Sequence, residues 1–392
     1  MMNLCEALAT QWVTVRMEIE GAFIYENLLA ARRGDAWLGS TEIQLLSDSW
    51  ILGEYTDPPY EYLNTVTGSS GTQVNPVIVL RVHYHWKHAW PSGEWKTDAK
   101  RYHKGWIDDE AAALASLILG IRIQCGAKTR DFRPSDPVQG RPCYIRNSNV
   151  MGFPIKTKPI LPSHKNTVNL SDLERIHTIE LLSPEQSIAL VKAARLYQQA
   201  LWLAEVDAAD AWLSMVSAIE TAASCWKAEQ QSSMDELRSC FSDLYIFLSK
   251  FNNHELLEGT AEILKGKNRI KNKFVNFLIN FLPSAPPLRP PGGFQLQWDS
   301  EFFRPAFAKV YEHRSRALHD GIAFPLPMTE PPEKHDEHWA APTERPGGIA
   351  TSNGIAVWNH EDCPMLLNTF AYIVRKALLS WWNSIQNKDV LH

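Results

Sequence analysis

Six prolines fall between Arg133 and Pro162: Pro134, Pro137, Pro142, Pro154, Pro159 and Pro162. Proline has no backbone N–H and a fixed φ, so no helix interior or central strand survives at that density. The segment 133–182 therefore reads as an extended linker or wrapping arm. It divides the chain into halves with different periodicities, 1–132 and 183–392. The expected fold class is α+β, with a mixed strand and helix domain first and an all-α region after it.

In the first half, Trp12 to Glu20 places apolar residues at alternate positions, the period of a half-buried strand. Val77 to Trp86 is rich in β-branched and aromatic residues and follows the turn-like Thr67-Gly68-Ser69-Ser70-Gly71. A helix is expected next. Asp108, Asp109 and Glu110 crowd its first turn, where the helix dipole favours negative charge, and Ala111 to Cys125 would form its buried body.

The second half opens on Ser183-Pro184-Glu185-Gln186, an N-cap serine, a proline at the first helical position and a glutamine placed to close a capping box. Ile188, Val191, Leu196, Leu201 and Leu203 carry that helix to about Ala204. Further helices are expected at 207–227, 234–251, 255–282, 300–319 and 363–386. Pro283 to Gly293 and Phe324 to Gly348 read as loops.

Charge and cysteine usage narrow the function. The formal net charge of −5 excludes a globally basic nucleic-acid wrapper but leaves room for a local basic groove. Six cysteines without a CxxC pair argue against a zinc ribbon or a disulfide framework and point to reduced thiols. No signal peptide is visible, and the longest apolar run, Ala111 to Ile121, is too short to span a bilayer. The expectation is a cytoplasmic protein that does not enter membranes.

The chemistry concentrates in Val310 to Gly321. Phe303, Phe307 and Val310 follow the i, i+4, i+7 rule of a buried helix stripe, and Arg314 continues it four residues on. An arginine aimed at a bundle interior needs an anionic partner or ligand. Ser315 and His319 are i, i+4 neighbours on an adjacent face, and Gly321 supplies a helix stop. The Arg-x4-His spacing alone is common in a chain of this composition. A surface arginine and a helix-terminal histidine are the plain alternative.

Tyr311, Arg314, Ser315, His319 and Gly321 together resemble the signature of HEPN domains, specifically the Apea-like group, and the stretch Trp212 to Glu220 is similar to the helix that turns an acidic residue toward the arginine. The likeness covers roughly 185–385. One departure is Asp320, which separates His319 from Gly321 where the family often has glycine directly after histidine. The resemblance implies a HEPN-like helical bundle and a metal-independent endoribonuclease that needs no cofactor. Its site would be completed by a homodimer, with Arg314 and His319 catalytic and Ser315, Glu220, Tyr311 and Asp320 supporting. It also implies RNA as substrate and a defence, abortive-infection or toxin role, with the N-terminal domain sensing a phage or cellular trigger. A non-catalytic nucleotide- or protein-binding scaffold is the alternative.

Lys265, Lys267, Arg269, Lys271 and Lys273 place five cations in nine residues, and with Arg316 they are the candidate contacts to an RNA backbone. A solvated helix face explains the same cluster equally well. His83 and His85 share a strand face that suits metal chelation, but no carboxylate stands near them in sequence, and ordinary polar-face positions are favoured. His335 and His338 fall in a proline-flanked loop and read as solvated. The tryptophans of the first half, Trp12, Trp37, Trp50, Trp86, Trp90, Trp95 and Trp106, read as core or interface anchors. The chain has no Walker loop, GxGxxG, GxSxG or HExxH motif.

Overall fold

The computed structural model describes residues 20–65, 74–86, 99, 102–143, 158–226, 233–240, 242–264, 269–334, 341–348 and 350–386. The alternating stretch from Trp12, together with His88, Trp90, Trp95, His335 and His338, lies outside them.

The first half builds a six-stranded antiparallel sheet. Its strands are β1 (Gly39–Ser47), β3 (Tyr55–Asp57), β4 (Tyr60–Asn64), β5 (Asn75–Tyr84), β6 (Gln124–Phe132) and β7 (Arg141–Pro142), in the order β3-β4-β5-β1-β6-β7. β5 shows the period-2 logic clearly. Ile78, Leu80 and Val82 are fully buried, while Arg81 and His83 face the other way and stay partly exposed. Ile43 of β1 sits opposite Leu80, and a bulge follows at Leu45/Leu46.

Two helices cover the inner face: α1 (Phe23–Arg32) and α2 (Ile107–Leu119). Buried tyrosine hydroxyls tie sheet to helix, Tyr60 donating to the Ile24 carbonyl at 2.8 Å and Tyr62 to that of Ala111 at 3.1 Å. α1 has no side-chain cap of its own. Glu110, fully buried at the start of α2, accepts from the amides of Phe23 and Ile24 at 3.1 and 2.6 Å and does that job from a distance. The expected helical body to Cys125 is too long. α2 ends at Leu119 because Gly120 turns left-handed at φ +71°, and Cys125 already belongs to β6.

The proline-rich segment does not hang free of the rest. Thr167–Asn169 (β8) pairs in parallel with Trp50–Leu52 (β2), and the 3-10 segment Leu170–Leu181 buries Leu170, Leu173, Ile176 and Ile179. One buried cluster runs from the sheet through these residues into the helices. Arg122, just before β6, is its polar joint. It donates to the Leu201 carbonyl at 2.8 Å, to Asp48 at 3.0 Å and to Glu205 at 2.9 Å. Glu205 in turn accepts from the amides of Ile160 and Leu161.

The second half centres on a helix pair, α3 (Pro184–Leu203) and α4 (Ala208–Cys225). α3 starts with the expected capping box: Ser183 Oγ accepts from the Gln186 amide, and the Gln186 side chain accepts from the Ser183 amide. Trp212 of α4 is wholly buried. Its ring lies 5.4 Å from that of Phe324 and 4.7 Å from that of Phe370, and its Nε1 donates to the Met328 carbonyl. The stretch expected as one helix over 234–251 is two, α5 (Ser233–Cys240) and α6 (Ser242–Ser249). Likewise 255–282 comprises α7 (His254–Leu264) and α8 (Arg269–Asn280). Then come α9 (Ser300–His319), the short α10 (Leu326–Thr329), a hairpin of β9 (Ala350–Ser352) and β10 (Val357–Asn359), and α11 (Leu367–Gln386). Arg375 of α11 reaches back to the C-terminal carbonyls of α2, at Leu117 and Ile118, and joins the two halves again. Among the described residues no helix is long and apolar enough to cross a membrane.

Candidate active site

α9 is fixed at its start by Asp299, whose carboxylate accepts from the Phe302 amide at 2.8 Å, and by three fully buried residues, Phe303, Phe307 and Val310. Because side chains four apart share a face, Arg314 points along the same stripe into the groove between α9 and α4. There its Nη2 donates to Glu220 Oε2 at 2.8 Å, with the two side chains only 20% and 15% exposed. Tyr311 completes the cluster. The Arg314 guanidinium lies 5.6 Å from its ring centroid, and Phe274 of α8 packs on it at 5.4 Å. Burial, and then the Glu220 carboxylate, push the Tyr311 phenol above its ordinary range. Arg314 Nε and Glu220 Oε1 are buried without a hydrogen-bond partner among the described residues, so the pair retains unused donor and acceptor capacity.

The C-terminal end of the helix is more open. Asp320 caps it, its amide and that of Ile322 both donating to the Arg316 carbonyl, and Gly321 turns left-handed at φ +67°. His319 is exposed at the last helical position, and Ser315 is half-buried. No side-chain hydrogen bond joins these two among the described residues. On a helix of 3.6 residues per turn, His319 stands about 140° around the axis from Arg314 but only about 60° from Arg316. A single copy therefore presents Arg314 and His319 in different directions.

The cationic cluster upstream is only partly in view. Lys265 and Lys267 lie outside the described residues, as does the side chain of Arg269. Lys271 is committed to Glu312 of α9 at 2.9 Å, and Lys273 is half-buried. Burial raises the Glu312 carboxyl, but Lys271 and Lys309 outweigh it and hold the group below its usual range. Arg316 is exposed and lines a cavity of about 870 Å³, together with His313, Asp207, Phe324 and Trp358.

The sequence pattern assigns His313 no role. It sits three residues after Val310, on the buried side of α9, with Nε2 2.7 Å from the Asp362 carbonyl oxygen. Burial lowers its pKa below the ordinary histidine value. The pair His83 and His85 is split between different partners. His83 lies 2.8 Å from the Ser40 hydroxyl and 3.5 Å from Glu61, while His85 lies 2.8 Å from the Asp35 carbonyl oxygen. Among the described residues no group of three or more His, Cys, Asp or Glu is placed to hold a metal ion.

Comparisons with known proteins add no relative. No protein-family model, curated protein or solved structure matches the chain.

Proposed function

We propose that the helical half is a HEPN-like bundle and the protein a metal-independent endoribonuclease. The observation that carries this reading is the mostly buried Arg314–Glu220 pair, 2.8 Å apart, five residues along α9 from an exposed terminal histidine. Histidine titrates near neutrality and arginine stays charged throughout, which suits general acid–base chemistry beside a developing phosphorane. In the reaction, His319 takes the proton of a ribose 2′-hydroxyl, whose oxygen bonds to the adjacent phosphorus. The bond from phosphorus to the 5′-oxygen breaks, and that oxygen accepts a proton from an imidazolium. The products are a 2′,3′-cyclic phosphate and a 5′-hydroxyl.

Glu220 sets the direction of Arg314, whose planar fork of donors stabilises the charge on the phosphoryl oxygens. Ser315 donates to a phosphate oxygen, and Arg316 with Lys273 holds the flanking backbone. Because Arg314 and His319 diverge around α9, the complete site draws on two copies of the chain, and we infer a homodimer through the helical half. In this reading the protein works in the cytoplasm as a defence or toxin effector, and the sheet half senses the phage or cellular trigger that releases it. The test is cleavage of mixed-sequence RNA and tRNA in EDTA by the full chain and by His319→Ala.

One observation favours a second reading. Arg314 is already occupied by Glu220, and among the described residues no hydrogen bond orients the His319 imidazole, which suits a non-catalytic nucleotide- or protein-binding scaffold. Such a scaffold keeps its full binding activity in His319→Ala.

A further inference from the structure

A second cavity, of about 580 Å³, opens far from the motif in sequence, between the end of the sheet half and α3. That volume falls within the range of small-molecule sites, and the junction of two structural units is a common place for one. Its lining is cationic in a chain whose net charge is −5. Lys192 and Arg195 share one face of α3 at i, i+3, and Lys104 belongs to the loop before α2. Asp109 contributes the one carboxylate among the described lining residues, and Arg195 engages it at 3.1 Å. Among the described lining residues, three cations stand against that one carboxylate.

A further feature points to a ligand. His103 lines the cavity with its side chain only 6% exposed, and its Nε2 lies 2.7 Å from buried Glu110. Its Nδ1 is buried with no hydrogen-bond partner among the described residues. Buried ring nitrogens are seldom left that way unless a water, an ion or a ligand group supplies the missing bond. Burial lowers the Lys192 ammonium below its ordinary range, a loss that an incoming anion would reverse.

The remaining lining suits a flat, polar-edged ring. Tyr102 stands 69% exposed among the lining residues and offers an aromatic face, and Gln124 and Gln199 offer amides of both polarities. We propose that this cavity binds a nucleoside phosphate, its phosphate held by Lys104, Lys192 and Arg195 and its base by Tyr102 and the glutamine amides. The proposal does not depend on the nuclease reading, since none of these residues belongs to the α9 motif.

The test is calorimetric titration of the full-length protein with AMP, GMP, CMP, UMP and ATP, with adenosine and inorganic phosphate as separate arms. The expected result is saturable binding of at least one nucleotide, weakened about tenfold or more by Lys192→Glu and severalfold by Tyr102→Ala. Both variants should melt like the parent, because neither side chain is in the core. Adenosine and phosphate alone should each bind at least about tenfold more weakly than AMP or ATP. Absence of binding by every nucleotide at millimolar concentration would overturn the proposal. So would binding that is indifferent to Lys192→Glu in a folded variant, or adenosine binding as tightly as its phosphates. Capture of an acidic hexaglutamate peptide through Lys192, with no nucleotide bound, would likewise replace the proposal with a peptide site.

Discussion

Arg314 and Glu220 meet 2.8 Å apart across the groove between α9 and α4, ninety-four residues apart in the chain. Losing one partner of a fully buried pair costs about 3–5 kcal/mol, and the remaining exposure here reduces that to about 2–3 kcal/mol. Arg314→Met and Glu220→Leu should each destabilise the protein by that amount in urea melts. The double variant should recover at least half of the summed loss, because no charge is then stranded. Simple additivity would show that the two side chains do not depend on each other.

Acid should weaken the fold before the carboxylates titrate. His164 is fully buried 3.1 Å from the Tyr197 hydroxyl, and burial pushes its pKa down from 6.5 to about 3. His83, His177 and His313 are shifted in the same direction, burial being the largest cause in each. A histidine with a depressed folded pKa binds its proton more tightly when unfolded. Its stabilisation is therefore complete above pH 6.5 and is lost as the pH falls toward the folded value. The melting temperature should drop steadily from pH 7 to pH 4.5, and His164→Asn should flatten part of that slope. A melting temperature constant over this window would contradict the assignment of these histidines as neutral.

Trp212 is clamped between Phe324 and Phe370 and spends its indole N–H on the Met328 carbonyl. Trp212→Ala should cost about 3–5 kcal/mol. Trp212→Phe, which keeps much of the ring contact but leaves the carbonyl unpaired, should cost less than half of that. Equal losses would mean that the hydrogen bond, not the packing, holds α10 in place.

The buried cluster shared by the halves predicts the behaviour of a fragment. A chain beginning at Leu182 loses the α2 cover of α3 and strands Glu205 without Arg122. It should bind ANS and melt without a cooperative transition. Cooperative unfolding near the parent temperature would show that the helical half is autonomous.

The sequence was most legible where a signal is local. The Ser183 capping box, the Phe303-Phe307-Val310 stripe and the Asp299 to His319 helix can all be read within one or two turns. α1 was not legible because its cap is a carboxylate from Glu110, which α2 supplies from eighty-six residues away. β1 was hidden by its bulge at Leu45/Leu46, which breaks the alternation, and by buried Ser40, Thr41 and Ser47. The apolar run after Glu110 invited a helix through Cys125, whereas a single left-handed glycine cuts it at Gly120. At the candidate site, the need of Arg314 for an anionic partner was visible in its periodicity. The burial of His313 and the convergence of His103, Lys104, Lys192 and Arg195 on one cavity depend on packing that no local pattern encodes.

On the proposed function, α9 carries a nucleolytic histidine. His319 is exposed and makes no side-chain hydrogen bond or ion pair among the described residues, so His319→Ala should melt with the parent. Full-length protein should cleave tRNA or mixed-sequence RNA in EDTA, leaving 2′,3′-cyclic phosphate and 5′-hydroxyl ends, and the variant should lose at least about a hundredfold in rate. Parent protein that leaves RNA intact, or a variant that cleaves it equally well, would overturn the proposed nuclease activity and favour the binding scaffold.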